Sequence, residues 1–166
     1  MQRRSLFPFL AVVSLTACGF RLRGAPEFAF DSLYISAPVG SAFAQELRRT
    51  LQAAGGTLQV ITDPGLMPQA KAVFELLAEQ QERSVVGKGP AGEVRELELR
   101  LRIRFRLRDQ SGTELIAPTE MLQQREISYS ETIALAKEAE EALLYRNMRT
   151  DLVQQLVRRL AAAKIG

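Results

Sequence analysis

From Glu96 to Asp109 the chain reads ELELRLRIRFRLRD. Leu97, Leu99, Leu101, Ile103, Phe105 and Leu107 fill alternate positions, with Glu98 and then Arg100, Arg102, Arg104, Arg106 and Arg108 between them. A period of two held over that length predicts a long antiparallel strand with one dry face and one strongly basic face. The segment before it, Lys71 to Val86 (KAVFELLAEQQERSVV), has no clean period, and its apolar cluster Val73 to Ala78 fits either helix or strand. Its position across GKGPAG (Gly87 to Gly92) from the alternating segment makes it the expected hairpin partner. DQSG at Asp109 to Gly112 predicts a turn, and Thr113 to Tyr129 a further strand whose Pro118 implies a sheet edge or a bulge.

Upstream, Ser32 to Ala37 (SLYISA) is β-rich and stops at Pro38. Ser41 is placed to cap a helix with Phe43, Leu47, Leu51 and Ala54 on one stripe, closed by Gly55 and Gly56. Leu58 to Thr62 (LQVIT) reads as a short strand ended by the turn residues Asp63, Pro64 and Gly65. The chain finishes in one amphipathic helix, about Ile133 to Lys164, with Leu144, Met148, Leu152, Leu156 and Leu160 apolar. Its acids come early and Arg158, Arg159 and Lys164 late, as the helix dipole favours. Two helices and four or five strands, each with one apolar face, predict a two-layer α/β (α+β) sandwich with a mixed, largely antiparallel sheet.

The first residues belong to a different kind of segment. Arg3 and Arg4, an apolar run from Leu6 to Leu15, then Thr16 and Ala17 before Cys18 form the three-part layout of a secretory signal. About ten apolar residues fall well short of the roughly 20 that span a bilayer as a helix. Leu15-Thr16-Ala17-Cys18 resembles the bacterial lipobox, which implies cleavage after Ala17 and lipidation of Cys18, the only cysteine. Several acyl chains anchor durably where one binds marginally. Gly19, standing where Asp is absent, resembles lipoprotein cargo sorted to the outer membrane. The expected organisation is a signal peptide over residues 1–17, a lipidated tether over 18–30 and one domain over 31–166.

Composition narrows the chemistry. Losing the leader removes Arg3 and Arg4 and leaves 20 basic against 19 acidic side chains, so any basic surface is a matter of arrangement. Export and near-zero charge disfavour nucleic acid as a partner. With no His and a single Cys, the chain has no Ser-His-Asp or Cys-His unit, no His- or Cys-based zinc site and no internal disulfide. GKGPAG lacks the Lys-Ser/Thr ending of a phosphate loop, and the absence of Trp leaves a carboxylate-pair glycosidase without its usual sugar platform. The expectation is a protein without catalytic residues, metal or cofactor beyond the lipid on Cys18.

The remaining candidates are cationic. Arginines two apart on a strand stand about 6.6–6.8 Å from one another and require anions between them. Guanidinium groups match phosphate bidentately, making Arg100, Arg102, Arg104 and Arg106 candidate phosphate ligands. Equally, Glu75, Glu79, Glu82, Glu120 and Glu126 on neighbouring strands could neutralise the ladder and leave a solvated face. Lys88 sits at the hairpin tip between glycines that let a ligand approach. Lys137 falls near the start of the last helix, where the dipole disfavours a cation and Glu141 is placed to pair with it.

CGFRLRG at the lipobox, the long alternating strand, and IALAKEAEE opening a helix that runs to MRTDLVQQLVRRL together resemble the LPS-assembly lipoprotein family, LptE, across the mature chain. The resemblance implies an outer-membrane, periplasm-facing lipoprotein that plugs the LPS-assembly β-barrel LptD as a 1:1 partner, supports its assembly and binds lipopolysaccharide. Lys88 and Lys137 are similar in position to that family's lipopolysaccharide-contacting residues. Two alternatives stand beside it. One is a structural plug whose arginine face meets acidic barrel groups without touching lipopolysaccharide; the other is an unrelated envelope lipoprotein binding anionic lipid.

Overall fold

The computed structural model describes residues 26–130 and 134–164; the leader and Cys18 lie outside the described residues. Strands β1 (Ser32–Ser36), β2 (Gln59–Ile61), β3 (Ala72–Lys88), β4 (Val94–Asp109) and β5 (Glu114–Ser128) form one sheet in the order β2-β1-β3-β4-β5. β1 runs parallel to both β2 and β3, while β3, β4 and β5 pair antiparallel. Helices α1 (Ala42–Ala53) and α2 (Ala134–Ala162) pack on one face, which completes the two-layer α+β arrangement.

Two small differences from the sequence expectation have local causes. The turn at Asp63 continues into a 3-10 helix, Pro64–Gln69, because the Asp63 carboxylate accepts from the Gly65 amide and Pro64 starts the turn without needing a donor. β3 runs on to Lys88, so the hairpin tip shrinks to residues 89–93, where Gly92 takes φ +84°, a conformation that favours glycine. Pro118 lies on the edge strand β5, at an irregularity in its register with β4.

The alternation in β4 determines the two faces. Leu97, Leu99, Leu101, Ile103, Phe105 and Leu107 are all buried under the helices, with Phe74 stacked on Phe105 at 5.6 Å. Seventeen residues of β3 extend about 55 Å whereas the 12 residues of α1 reach only about 18 Å. α1 therefore covers the first part of β3, and over the remainder only α2 shields the sheet. Burial follows: Ala72, Phe74 and Leu76 are enclosed, while Val85 and Val86 are 47% and 49% exposed.

A register shift between Leu76 and Ala78 changes which residues share a face. Before it, Glu75 lies opposite Arg106; after it, Glu79 lies opposite Ile103. Glu79 was expected to neutralise the arginines, but the shift turns it to the helical side. There its carboxylate accepts from the Ser41 hydroxyl at 2.6 Å and the Phe43 amide at 3.2 Å. Ser41 in turn caps the Ala44 amide at 3.0 Å, so β3 supplies an anion to the positive end of α1.

Candidate functional site

The arginine ladder occupies the sheet face away from the helices, and most of it is neutralised from within. Arg106 and Arg108 both donate to Glu75 from β3. Partial burial would raise the Glu75 pKa, but the hydrogen bonds and charges of the two guanidinium groups outweigh it and hold the carboxyl below its ordinary range. Arg102 donates to Glu120 at 3.1 Å and lies 3.9 Å from Glu82. Arg100 pairs along its own strand with the buried Glu98 at 2.5 Å, and Glu114 stands 3.9 Å from Arg106. Glu126 faces Glu98 across β5 rather than an arginine. Among the described residues, Arg104 alone of the ladder forms no ion pair, and it is exposed.

The two lysines both lie toward the far end of the hairpin. One row of the sheet runs from Gly87 through Glu96 to Ser128, two strand spacings or about 10 Å across. Lys88 follows Gly87 and faces Val94, whose side chain packs on the core under the helices. Lys137 holds its ammonium 3.4 Å from the Ser128 hydroxyl. Positions 49 residues apart in the chain thereby lie toward one end of the sheet.

Their states differ. Lys88 is exposed and forms no ion pair among the described residues. The tip beside it is fixed by Gly89 donating to the Glu93 carbonyl at 2.8 Å, and by the Glu93 carboxylate, which takes the Ala91 amide at 3.1 Å and the Arg95 guanidinium at 2.6 Å. Lys137 is only 12% exposed and bonds Glu140 at 2.7 Å. The partner anticipated from the sequence was Glu141. Helix rotation instead directs Glu141 to Arg83 on β3, 3.3 Å away, while Glu140 faces Lys137 one turn below.

Arg83 is the residue that sequence reasoning overlooked. Its guanidinium lies 5.4 Å from the Tyr129 ring centroid and borders a cleft of about 280 Å³ lined with Ser84, Val85, Val94, Leu97 and Tyr129. Its face depends on the shift at Leu77, which no local pattern announces. The cleft is lined by polar and apolar groups in similar measure, with Arg83 as its charged member; Lys88 and Lys137 are not among the residues that line it. No group of acidic or sulfur side chains able to hold a metal occurs among the described residues, and no described helix is long and apolar enough to cross a membrane.

The LptE family profile, described as lipopolysaccharide-assembly, matches residues 28–160. The chain belongs to the LptE family. An NMR structure of an uncharacterized lipoprotein B from Nitrosomonas europaea is 31% identical, with a TM-score of 0.73 over 87% of this chain and 91% of that one. Rare lipoprotein B from Shewanella oneidensis (23% identity, TM-score 0.66, 79% of this chain and 94% of that one) shares the fold. So does a minor lipoprotein from Acinetobacter baumannii (23%, 0.64, 81% and 93%). No curated protein matches. This LptE protein is thus a lipopolysaccharide-assembly lipoprotein of a non-enzymatic family, as the resemblance in its sequence implied.

Proposed function

We propose that the protein is held on the periplasmic side of the outer membrane by lipid on Cys18, plugs the LPS-assembly barrel LptD one to one, aids its assembly and binds lipopolysaccharide on its way out. The observation behind the ligand role is that Lys88 at the end of β3 and Lys137 beside Ser128 at the end of β5 lie toward the same end of the sheet, where Arg83 borders a small cleft. Lipid A offers phosphates to the cations and acyl chains to the cleft, and basic side chains in fixed positions replace the divalent ions that hold such phosphates together. No covalent chemistry is needed. Arg100, Arg102 and Arg106 already have acidic partners, as does Lys137, so Lys88 and Arg104 are the candidate cations left open among the described residues.

The ladder supports a second role alongside the first. A flat, uncovered face of paired charges with one unmatched cation, Arg104, suits contact with a polar, wet wall better than with lipid. Purifying the lipidated protein from outer membranes and identifying what accompanies it tests the plug. Equal amounts of a large β-barrel support it, and lipid without any barrel refutes it. Alanine at Lys88 and Lys137 then separates the roles: lost lipopolysaccharide binding with intact barrel assembly supports ligand contact, and unchanged binding leaves a structural plug.

A further inference from the structure

The near end of the sheet, where the chain enters the domain, presents apolar side chains to solvent. The 3-10 helix Pro64–Gln69 buries none of its residues, and Leu66 and Met67 are 42% and 40% exposed. Hydrogen bonds fix its place. Gln110 of the β4–β5 turn donates to the Pro68 carbonyl at 2.8 Å, and the Lys71 amide donates to the Ser32 hydroxyl at 3.1 Å. Met67 shares one cleft with Asp109, Gln110 and Ser111 of that turn, the turn shares a second with Lys71, and Lys71 shares a third with Phe28. Phe28, Lys71 and Met67 therefore lie around one continuous end of the molecule. Resting on the reading of Cys18 as the lipid anchor, we infer that this end docks on the phospholipid leaflet, with Leu66 and Met67 inserted among the headgroups and Phe28 and Lys71 beside them.

The length of the anchor is the physical reason. Seven residues, 19–25, separate Cys18 from Pro26, so the lipid lies at most about 28 Å along the chain from the described domain. From the near end to its tip the hairpin extends about 55 Å. A molecule standing tip-down would hold its chain entry beyond the reach of the tether, whereas one standing on its near end leaves the tether slack. Lying flat would press onto lipid either the Arg–Glu face or the outer side of α2 with its exposed Glu138, Arg158 and Arg159, and strip water from charges. At the near end Glu27, Asp31, Asp63 and Asp109 offset Lys71, so apolar insertion and not charge drives the contact.

The test places the full lipidated chain in vesicles of phosphatidylcholine brominated on its acyl chains, with an environment-sensitive fluorophore on Met67→Cys or on Val86→Cys. Cys18 is thioether-linked in the lipidated form, so the introduced thiol reacts alone. The probe at residue 67 is expected to shift to the blue and lose about half its emission to bromine, and the probe at residue 86 less than about a tenth. Leu66→Glu should lower the quenching at residue 67 to the level at residue 86. Leu143→Glu, at a leucine exposed on α2, should leave it unchanged, as should raising salt from about 0.05 to 0.5 M. Equal quenching at residues 67 and 86 would lay the molecule flat, none at residue 67 would leave that end in water, and loss in salt would make the contact one of charge. Each of these overturns the inference. If mass spectrometry finds no acyl group on Cys18, the anchor reading itself falls and this one with it.

Discussion

The β3–β4 hairpin is one continuous structure with two unlike ends. At the near end, where β3 begins and β4 stops, Phe74, Phe105 and Leu107 are fully buried in the core. On the other face Glu75 locks Arg106 and Arg108, and Gln110 donates to the Pro68 carbonyl of the 3-10 helix at 2.8 Å. At the far end Leu97 and Leu99 of β4 remain buried, but their neighbours Val85, Val86 and Lys88 on β3 lie open, and Tyr145 ties α2 to the Glu82 carbonyl at 2.6 Å. A sheet extended beyond its short helix leaves backbone order without full coverage, which places side chains firmly yet keeps them accessible.

The sharpest way to break this contrast is to truncate one apolar side chain at each end. Phe105→Ala should cost about 3–5 kcal/mol, read as a fall in the denaturant midpoint, whereas Val86→Ala should stay within about 0.5 kcal/mol. Comparable losses would mean that the far end is covered in solution. Next comes Glu75→Gln, which leaves two arginines sharing one neutral amide and should cost about 1.5 kcal/mol. The Glu75 pKa is depressed in the folded state, so its contribution is present above the ordinary value of 4.5 and lost as pH falls through the lower folded value. Acid titration of stability should therefore show a step below about pH 4.5 that is reduced in the variant.

A smaller effect tests how α1 is joined to the near end. Glu79→Ala should destabilise by about 1 kcal/mol through the lost anion at the α1 N-terminus, while Glu126→Ala, exposed and facing Glu98, should be neutral or slightly stabilising. Least of all for stability is Lys88→Ala, expected within about 0.5 kcal/mol in denaturation yet lowering lipopolysaccharide affinity about fivefold in a binding titration. A large loss of stability there would assign the lysine to the fold instead.

Much of the architecture could be read because periodicity is a local property. The alternation in β4 shows both faces of the sheet, Ser41 and the Phe43–Leu47–Leu51 stripe show α1, and Pro118 shows the edge. The candidate site was legible only in its members. Lys88 and Lys137 stand out as two of four lysines, but their place at the same end of the sheet depends on the row Gly87–Glu96–Ser128, which joins residues far apart in the chain.

By itself, the sequence determined what local chemistry can specify: a two-faced strand, capped helices, a cationic residue between glycines, and the absence of histidine and thiol pairs that catalysis or zinc would require. The tertiary structure decided which charges meet. An extra residue at Leu77 sends Glu79 to cap a helix instead of an arginine, and the rotation of α2 gives Lys137 to Glu140 and Arg83 to Glu141. Parity along a strand and phase around a helix are set by packing against other elements, and a shift of one residue in either moves a side chain to a different partner.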